Sequence, residues 1–199
     1  MQVKRQVAAE RGPHHRPFGL KIFSSERAVV HHIVQVMCAG HLRGWSGPAR
    51  GRCVAGSSSG PGRSQVLDLV REAIPAGVPV VLVSHSLGTV VARDLLNDAT
   101  LRDRVMLWVT AGSPLGLDAV QKNLLTPGAR NPGVSWVSAY DVHDIVALGH
   151  PLLPSWGPPL VDVKVDNGDS PHSIERYLSH PEVAGPIGTA VRANRSAPS

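Results

Sequence analysis

The spacing of apolar residues changes character near Ser64. Downstream of it, short apolar runs alternate with segments of helical period. Val66, Leu69, Val70, Ala73 and Ile74 fall on one face of a helix over 65–74, with Ser64 as its cap and Pro75 and Gly77 as its stop. Residues 79–83 read Pro-Val-Val-Leu-Val, the continuous apolar run of a strand buried on both faces of a parallel sheet. A helix over 89–96 follows, then buried strands over 105–110 and 134–140. Residues 161–165 alternate between apolar and polar, which predicts a strand near the sheet edge. Segments 174–178 and 183–191 predict closing helices. Strands alternating with helices predict an α/β fold, a mostly parallel sheet flanked by helices.

Upstream of Ser64, residues 28–37 are the only strong apolar run, and a buried strand and a short helix both fit it. Residues 40–63 are rich in Gly, Ser, Pro and Arg, the composition of a loop or of disorder. No internal repeat is present. The expected organisation is a basic, low-periodicity segment over 1–63, an α/β core over 64–191 and a disordered tail over 192–199.

A chain of 199 residues fits one domain at about 150 residues per domain, and an apolar fraction of 42% is globular. No apolar stretch approaches the roughly 18 residues a transmembrane helix needs. The basic residues of the first dozen positions lead into no apolar run, so no secretory signal is expected. Cys38 and Cys53 cannot frame a disulfide scaffold, and a reducing, cytoplasmic setting is expected. The net charge of +5 is uneven: residues 1–63 hold ten Lys and Arg against Glu10 and Glu26, and the remainder holds ten against thirteen acidic residues. The upstream charges are scattered singly among Gly, Pro, Ser and His, so a nucleic-acid partner is not expected. With 16 Arg against 4 Lys the chain has the bias of GC-rich coding, and 1–63 reads as a segment not selected for a core. A misplaced start or a frame change upstream of Ser64 is the expectation that follows.

The most informative stretch is Ser84-His85-Ser86-Leu87-Gly88, directly after one predicted strand and directly before a helix. A Ser-rich turn that merely caps the helix is the plain alternative. The motif resembles the nucleophile elbow of the α/β-hydrolase superfamily, G-x-S-x-G, and is close to the Gly-His-Ser-Leu-Gly of its lipase-like and esterase-like members. The resemblance covers about residues 64–191. It implies an α/β-hydrolase fold, with Ser86 as nucleophile on a sharp turn, Gly88 and Ser84 as the small flanking residues, and the Leu87 N–H as an oxyanion donor. Ser84 stands where that family usually has Gly.

The superfamily order is serine, acid, histidine. Asp144, followed by Ile145 and Val146, resembles the family's acid, with Asp141 as the alternative, which could instead cap the loop. His172, after a turn-rich loop, resembles the family's final histidine, with His180 as the competitor. The loop 111–116 resembles a strand-end loop that shapes the pocket floor, and the lid region over 115–132 is short. The strands that usually precede the elbow, and the His-Gly type loop giving a second oxyanion donor, have no clear counterpart; Gly12-Pro13-His14 is a poor substitute. An incomplete N-terminal half is therefore expected.

The implied activity is hydrolysis of a carboxylic ester or thioester through an acyl-enzyme, with a small-molecule acyl substrate and no cofactor or metal. A truncated, non-catalytic fragment or binding module is the alternative. His14-His15 and His31-His32 are adjacent pairs, which do not converge on zinc as i,i+4 pairs do, and Cys38 with His41 lacks further partners. Trp108 and Trp136 are expected in core packing.

Overall fold

The computed structural model describes residues 19–23, 32–37 and 61–195. Among them six strands form one sheet: β1 (Gly19–Phe23), β2 (His32–Met37), β3 (Val80–His85), β4 (Val105–Ala111), β5 (Trp136–Asp141) and β6 (Leu160–Val165). Their spatial order follows the chain. β1 is antiparallel to β2, and every later neighbour pair is parallel.

The continuous apolar runs are explained by burial of both faces of the sheet. Val80 and Leu82 point into one core with Trp108, Trp136 and Leu160. Val81 and Val83 point into the other with Leu107, Val109, Val137, Ala139 and Val165. The first face is covered by α1 (Pro61–Ala73), which contributes Leu67 and Val70, and by α2 (Gly88–Leu95). Short helices α3 (Ala99–Arg102), α4 (Asp118–Lys122) and α5 (Leu153–Trp156) lie in the connections. The second face is covered by α6 (Ile174–Ser179) and α7 (Pro181–Arg195) through Ile174, Tyr177 and Val183.

Aromatic side chains organise the first face. Trp108 stacks on Trp136 with centroids 4.2 Å apart, and Trp156 meets Trp136 edge-on at 5.3 Å. Each buried indole of the stacked pair finds an acceptor on a neighbouring strand: Trp108 Nε1 donates to Ser84 Oγ at 2.9 Å, and Trp136 Nε1 donates to Thr110 Oγ1 at 3.0 Å. The Ser84 hydroxyl in turn donates to the Val109 carbonyl at 3.1 Å. The Ser84 hydroxyl thus satisfies a buried tryptophan.

The structure moves several expected boundaries. The sheet reaches upstream of Ser64: the open choice at 28–37 resolves to strand β2, and β1 was not foreseen at all. The first described helix begins at Pro61, where proline's fixed φ suits a helix start and its missing N–H costs nothing. The closing helix runs to Arg195, so the expected tail from 192 begins as helix, and residues 196–199 lie outside the described residues. So do 1–18, 24–31 and 38–60, including most of the segment expected to be disordered. β6 is an edge strand with Val161 exposed, as its alternation predicted.

Parallel register aligns the strand ends that matter. Met37 pairs with His85, His85 with Ala111, Ala111 with Ala139, and Asp141 with Val165. The loops leaving β3, β4, β5 and β6 therefore emerge at one edge of the sheet.

Leu82 is fully buried in the central region of the sheet, whereas Val161 is 57% exposed on β6. Leu82→Ala is expected to cost about 2–5 kcal/mol in urea unfolding, and Val161→Ala less than about 0.5 kcal/mol. Similar losses at both positions would contradict the assignment of β6 as a half-solvated edge.

Candidate functional site

The turn after β3 is built around a backbone that L-residues avoid. Ser86 has φ +55°, the only positive φ outside glycine among the described residues. Such a conformation costs about 1–3 kcal/mol and persists only where its surroundings enforce it. Here the Ser86 N–H donates to the Ala111 carbonyl at 3.1 Å, while its carbonyl accepts from the Thr89 N–H at 3.0 Å and hydroxyl at 2.7 Å. Thr89 Oγ1 then accepts from Ser113 Oγ at 2.8 Å, and Ser113 Oγ accepts from the Leu115 N–H. This buried chain couples the turn to the loop after β4.

The turn lifts Ser86 Oγ to 3.0 Å from His172 Nε2. On the other side of the ring, His172 Nδ1 lies 2.8 Å from Asp144 Oδ2 and 3.0 Å from Oδ1. A carboxylate only accepts, so Nδ1 carries the proton and Nε2 is free to accept from the serine hydroxyl. The three side chains come from the loops after β3, β5 and β6, so the shared sheet edge assembles them from positions up to 86 residues apart. Leu87 follows in helical conformation at the head of α2, and its N–H has no acceptor among the described residues.

Asp144 is buried, and each of its oxygens has a further donor: the Val146 N–H at 2.9 Å on Oδ1 and the Tyr177 hydroxyl at 2.8 Å on Oδ2. Burial alone would raise its pKa. The His172, Val146 and Tyr177 hydrogen bonds outweigh that and hold the carboxyl below the usual range. Burial and the adjacent carboxylate push the Tyr177 phenol well above its ordinary value, so it remains a donor.

The two alternatives occupy other places. Asp141 accepts the Asn167 N–H at 2.6 Å and the His143 N–H at 2.8 Å, so it ties together the loops after β5 and β6 without touching His172. His180 Nε2 donates to Asn167 Oδ1 at 3.0 Å, away from the serine. Asn167, Tyr177 and Gly112 lie outside the Ser86 motif and the expected acid and histidine positions. Asn167 Nδ2 donates to the Pro171 carbonyl at 2.8 Å and so braces the loop that carries His172. Gly112, at φ +54°, backs the Asp144–His172 hydrogen bond: a Cβ there would lie 2.6 Å from Asp144 Oδ2 and 3.0 Å from His172 Nδ1. Within the loop 111–116, Gly116 also meets Gly149 backbone to backbone, where a Cβ on either would fall within 2.6 Å. A signal for Gly112 existed in its position after a buried strand, but Asn167 and Tyr177 depend on contacts no local pattern shows.

Among the described residues, no group of three or more His, Cys, Asp and Glu side chains converges as a metal site, and no helix is long and apolar enough to cross a membrane. No family model matches the chain, and no curated protein and no solved structure matches it.

Tyr177 donates to Asp144 and accepts the Asp141 N–H at 3.0 Å, so its hydroxyl serves two loops. Tyr177→Phe would leave a buried N–H without a partner and is expected to cost about 1–3 kcal/mol in denaturant unfolding. An unchanged midpoint would contradict that role.

Acid should destabilise the protein in two stages. Burial lowers the pKa of His85 to about 4 and lowers that of His150, which is held by Ala147 O and Ser138 Oγ. Unfolded histidines titrate near 6.5, so the unfolded chain binds more protons and stability falls as pH drops from about 6.5 to 4. Hydrogen bonds also hold Asp141 below its usual value against the opposing effect of burial. Asp141 and Asp144 therefore add a second loss as pH falls through and below about 4. Melting temperatures followed by circular dichroism from pH 8 to 3 should fall in this sequence; a flat profile between pH 7 and 5 would contradict the buried neutral imidazoles.

Proposed function

We propose that the protein is a serine hydrolase of the α/β-hydrolase type, acting on a carboxylic ester or thioester. The observation that carries this reading is the unbroken chain Ser86 Oγ, His172 and Asp144, with the serine on a left-handed turn between a strand and a helix. The parallel α/β sheet supports the same reading.

In this mechanism His172 Nε2 takes the Ser86 hydroxyl proton as Oγ bonds to the acyl carbon. Asp144 holds the Nδ1–H tautomer and stabilises the imidazolium. The carbonyl oxygen gathers negative charge, and the Leu87 N–H at the head of α2 receives it. Collapse of the tetrahedral intermediate breaks the bond to the leaving alcohol or thiol, which takes the proton from Nε2. Water then repeats the sequence on the acyl-enzyme, giving the carboxylic acid and free Ser86.

Met37 is in register with His85, so β2 ends beside the turn that carries Ser86. Two strands, β1 and β2, precede the turn in the sheet, which weighs against the truncated, non-catalytic alternative.

A fluorophosphonate probe should label Ser86, as mapped by mass spectrometry of the digested protein. Ser86→Ala should abolish labelling and hydrolysis of a short aryl ester. Asp144→Asn should lower kcat by roughly 10⁴-fold with the fold intact, because an amide favours the wrong imidazole tautomer. Asp141→Asn should instead lower the unfolding midpoint with a far smaller effect on kcat, since Asp141 bonds only loop amides and His143. Label on Ser84 or Ser113 with Ser86 untouched would sink the assignment.

A further inference from the structure

His172 is a base on a loop, and its side chain is 37% exposed. Two side-chain hydrogen bonds orient it, to Ser86 and to Asp144. In the proposed reaction the first of these does not last, because an acylated serine has no hydroxyl proton to give. The imidazole must then stay in place to activate water while held on one side only.

A third contact is independent of this chemistry. His85 Nε2 lies 3.0 Å from the backbone carbonyl of His172. A carbonyl only accepts, so Nε2 is the protonated nitrogen and the donor. The two rings pack with centroids 4.5 Å apart and planes at 36°, and His85 is itself buried. His85 is the last residue of β3, paired with Ala111 on one side and Met37 on the other, and the next residue is Ser86. The imidazole therefore extends from the rigid strand end that carries the serine. Burial and the neighbouring His172 hold its pKa near 4, against the opposing pull of Asp144 and Glu175, so at neutral pH it adds no charge beside an imidazolium.

We propose that His85 is a positioning residue, whose hydrogen bond to the His172 carbonyl ties the base loop to the nucleophile strand and keeps the Ser86–His172 separation constant while the proton moves. The proposal rests on the hydrolase reading for the role of His172 as base. Misplacement of a reacting group by about 1 Å costs on the order of 10²-fold in rate, so a contact that does not touch substrate can still control kcat.

Two substitutions separate the hydrogen bond from the packing. His85→Phe keeps a ring and removes the donor; His85→Gln removes the ring and keeps an N–H donor at similar reach. With an aryl ester, His85→Phe is expected to lower kcat by about 10- to 100-fold with KM within about twofold. His85→Gln should stay within about fivefold of the parent, a rescue that a purely structural role would not give. The downfield Nδ1–H proton resonance of His172 in the NMR spectrum should be sharp in the parent and in His85→Gln but broadened in His85→Phe. Should His85→Phe fail to fold by circular dichroism, His85→Met supplies the donor-free variant. A kcat within twofold of the parent in the donor-free variant, or equal losses in it and His85→Gln, would overturn the proposal. A parent that neither hydrolyses esters nor takes a fluorophosphonate label would overturn the hydrolase reading instead, and the resonance comparison would still decide whether His85 positions His172.

Discussion

The Asp144 carboxylate is buried, and an ion in that position is tolerable only when donors surround it. It receives the imidazole of His172 from the loop after β6, the phenol of Tyr177 from α6 and the amide of Val146 from its own loop. Every one of these must be in place for the charge to be satisfied, so the carboxylate sets the approach of α6 to the sheet and the tautomer of His172 together. Gly112 must lack a side chain for the same reason, because its α-carbon sits against the Asp144–His172 pair.

The second constraint is the strained turn at Ser86. A positive φ on a non-glycine residue is unfavourable, and the surrounding hydrogen bonds make the alternative conformations worse. Its support reaches deep into the first core. Ser84, two residues earlier, accepts the indole of Trp108, which stacks on Trp136. Ser113, through Thr89, ties the Ser86 carbonyl to the loop after β4. The turn is thus an extension of the packed sheet, which fixes the direction of the Ser86 side chain.

Parallel register brings these two constraints together. Strands whose ends align deliver the loops after β3, β4, β5 and β6 to one edge, so residues with no local relation in the chain become neighbours. The opposite arrangement, a one-strand offset of β5 or β6, would leave the same residue types scattered along the sheet. Asp141 illustrates the narrowness of the selection: three residues from Asp144, it serves only to join two loops.

Much of the architecture was legible in residue order. Continuous apolar runs at β3, β4 and β5 announced strands covered on both faces, and the alternation at β6 announced an edge, because side-chain period and burial are local consequences of the backbone. The strand, turn and helix around Ser86 were legible for the same reason, because all three are contiguous in the chain. β1 was not legible, since five residues with no strong alternation form a strand only when a neighbour offers its edge. The choice between Asp144 and Asp141, and between His172 and His180, was open to sequence order but decided by distance, which depends on how the loops after β5 and β6 meet. The Tyr177 phenol had no signature at all, and the motif that contains His85 gave no sign of its contact with the His172 carbonyl. By itself the sequence determined the layered fold and the place of the serine; only the tertiary structure decided which carboxylate, which imidazole and which supporting groups face it, because a buried charge selects its partners through space and not along the chain.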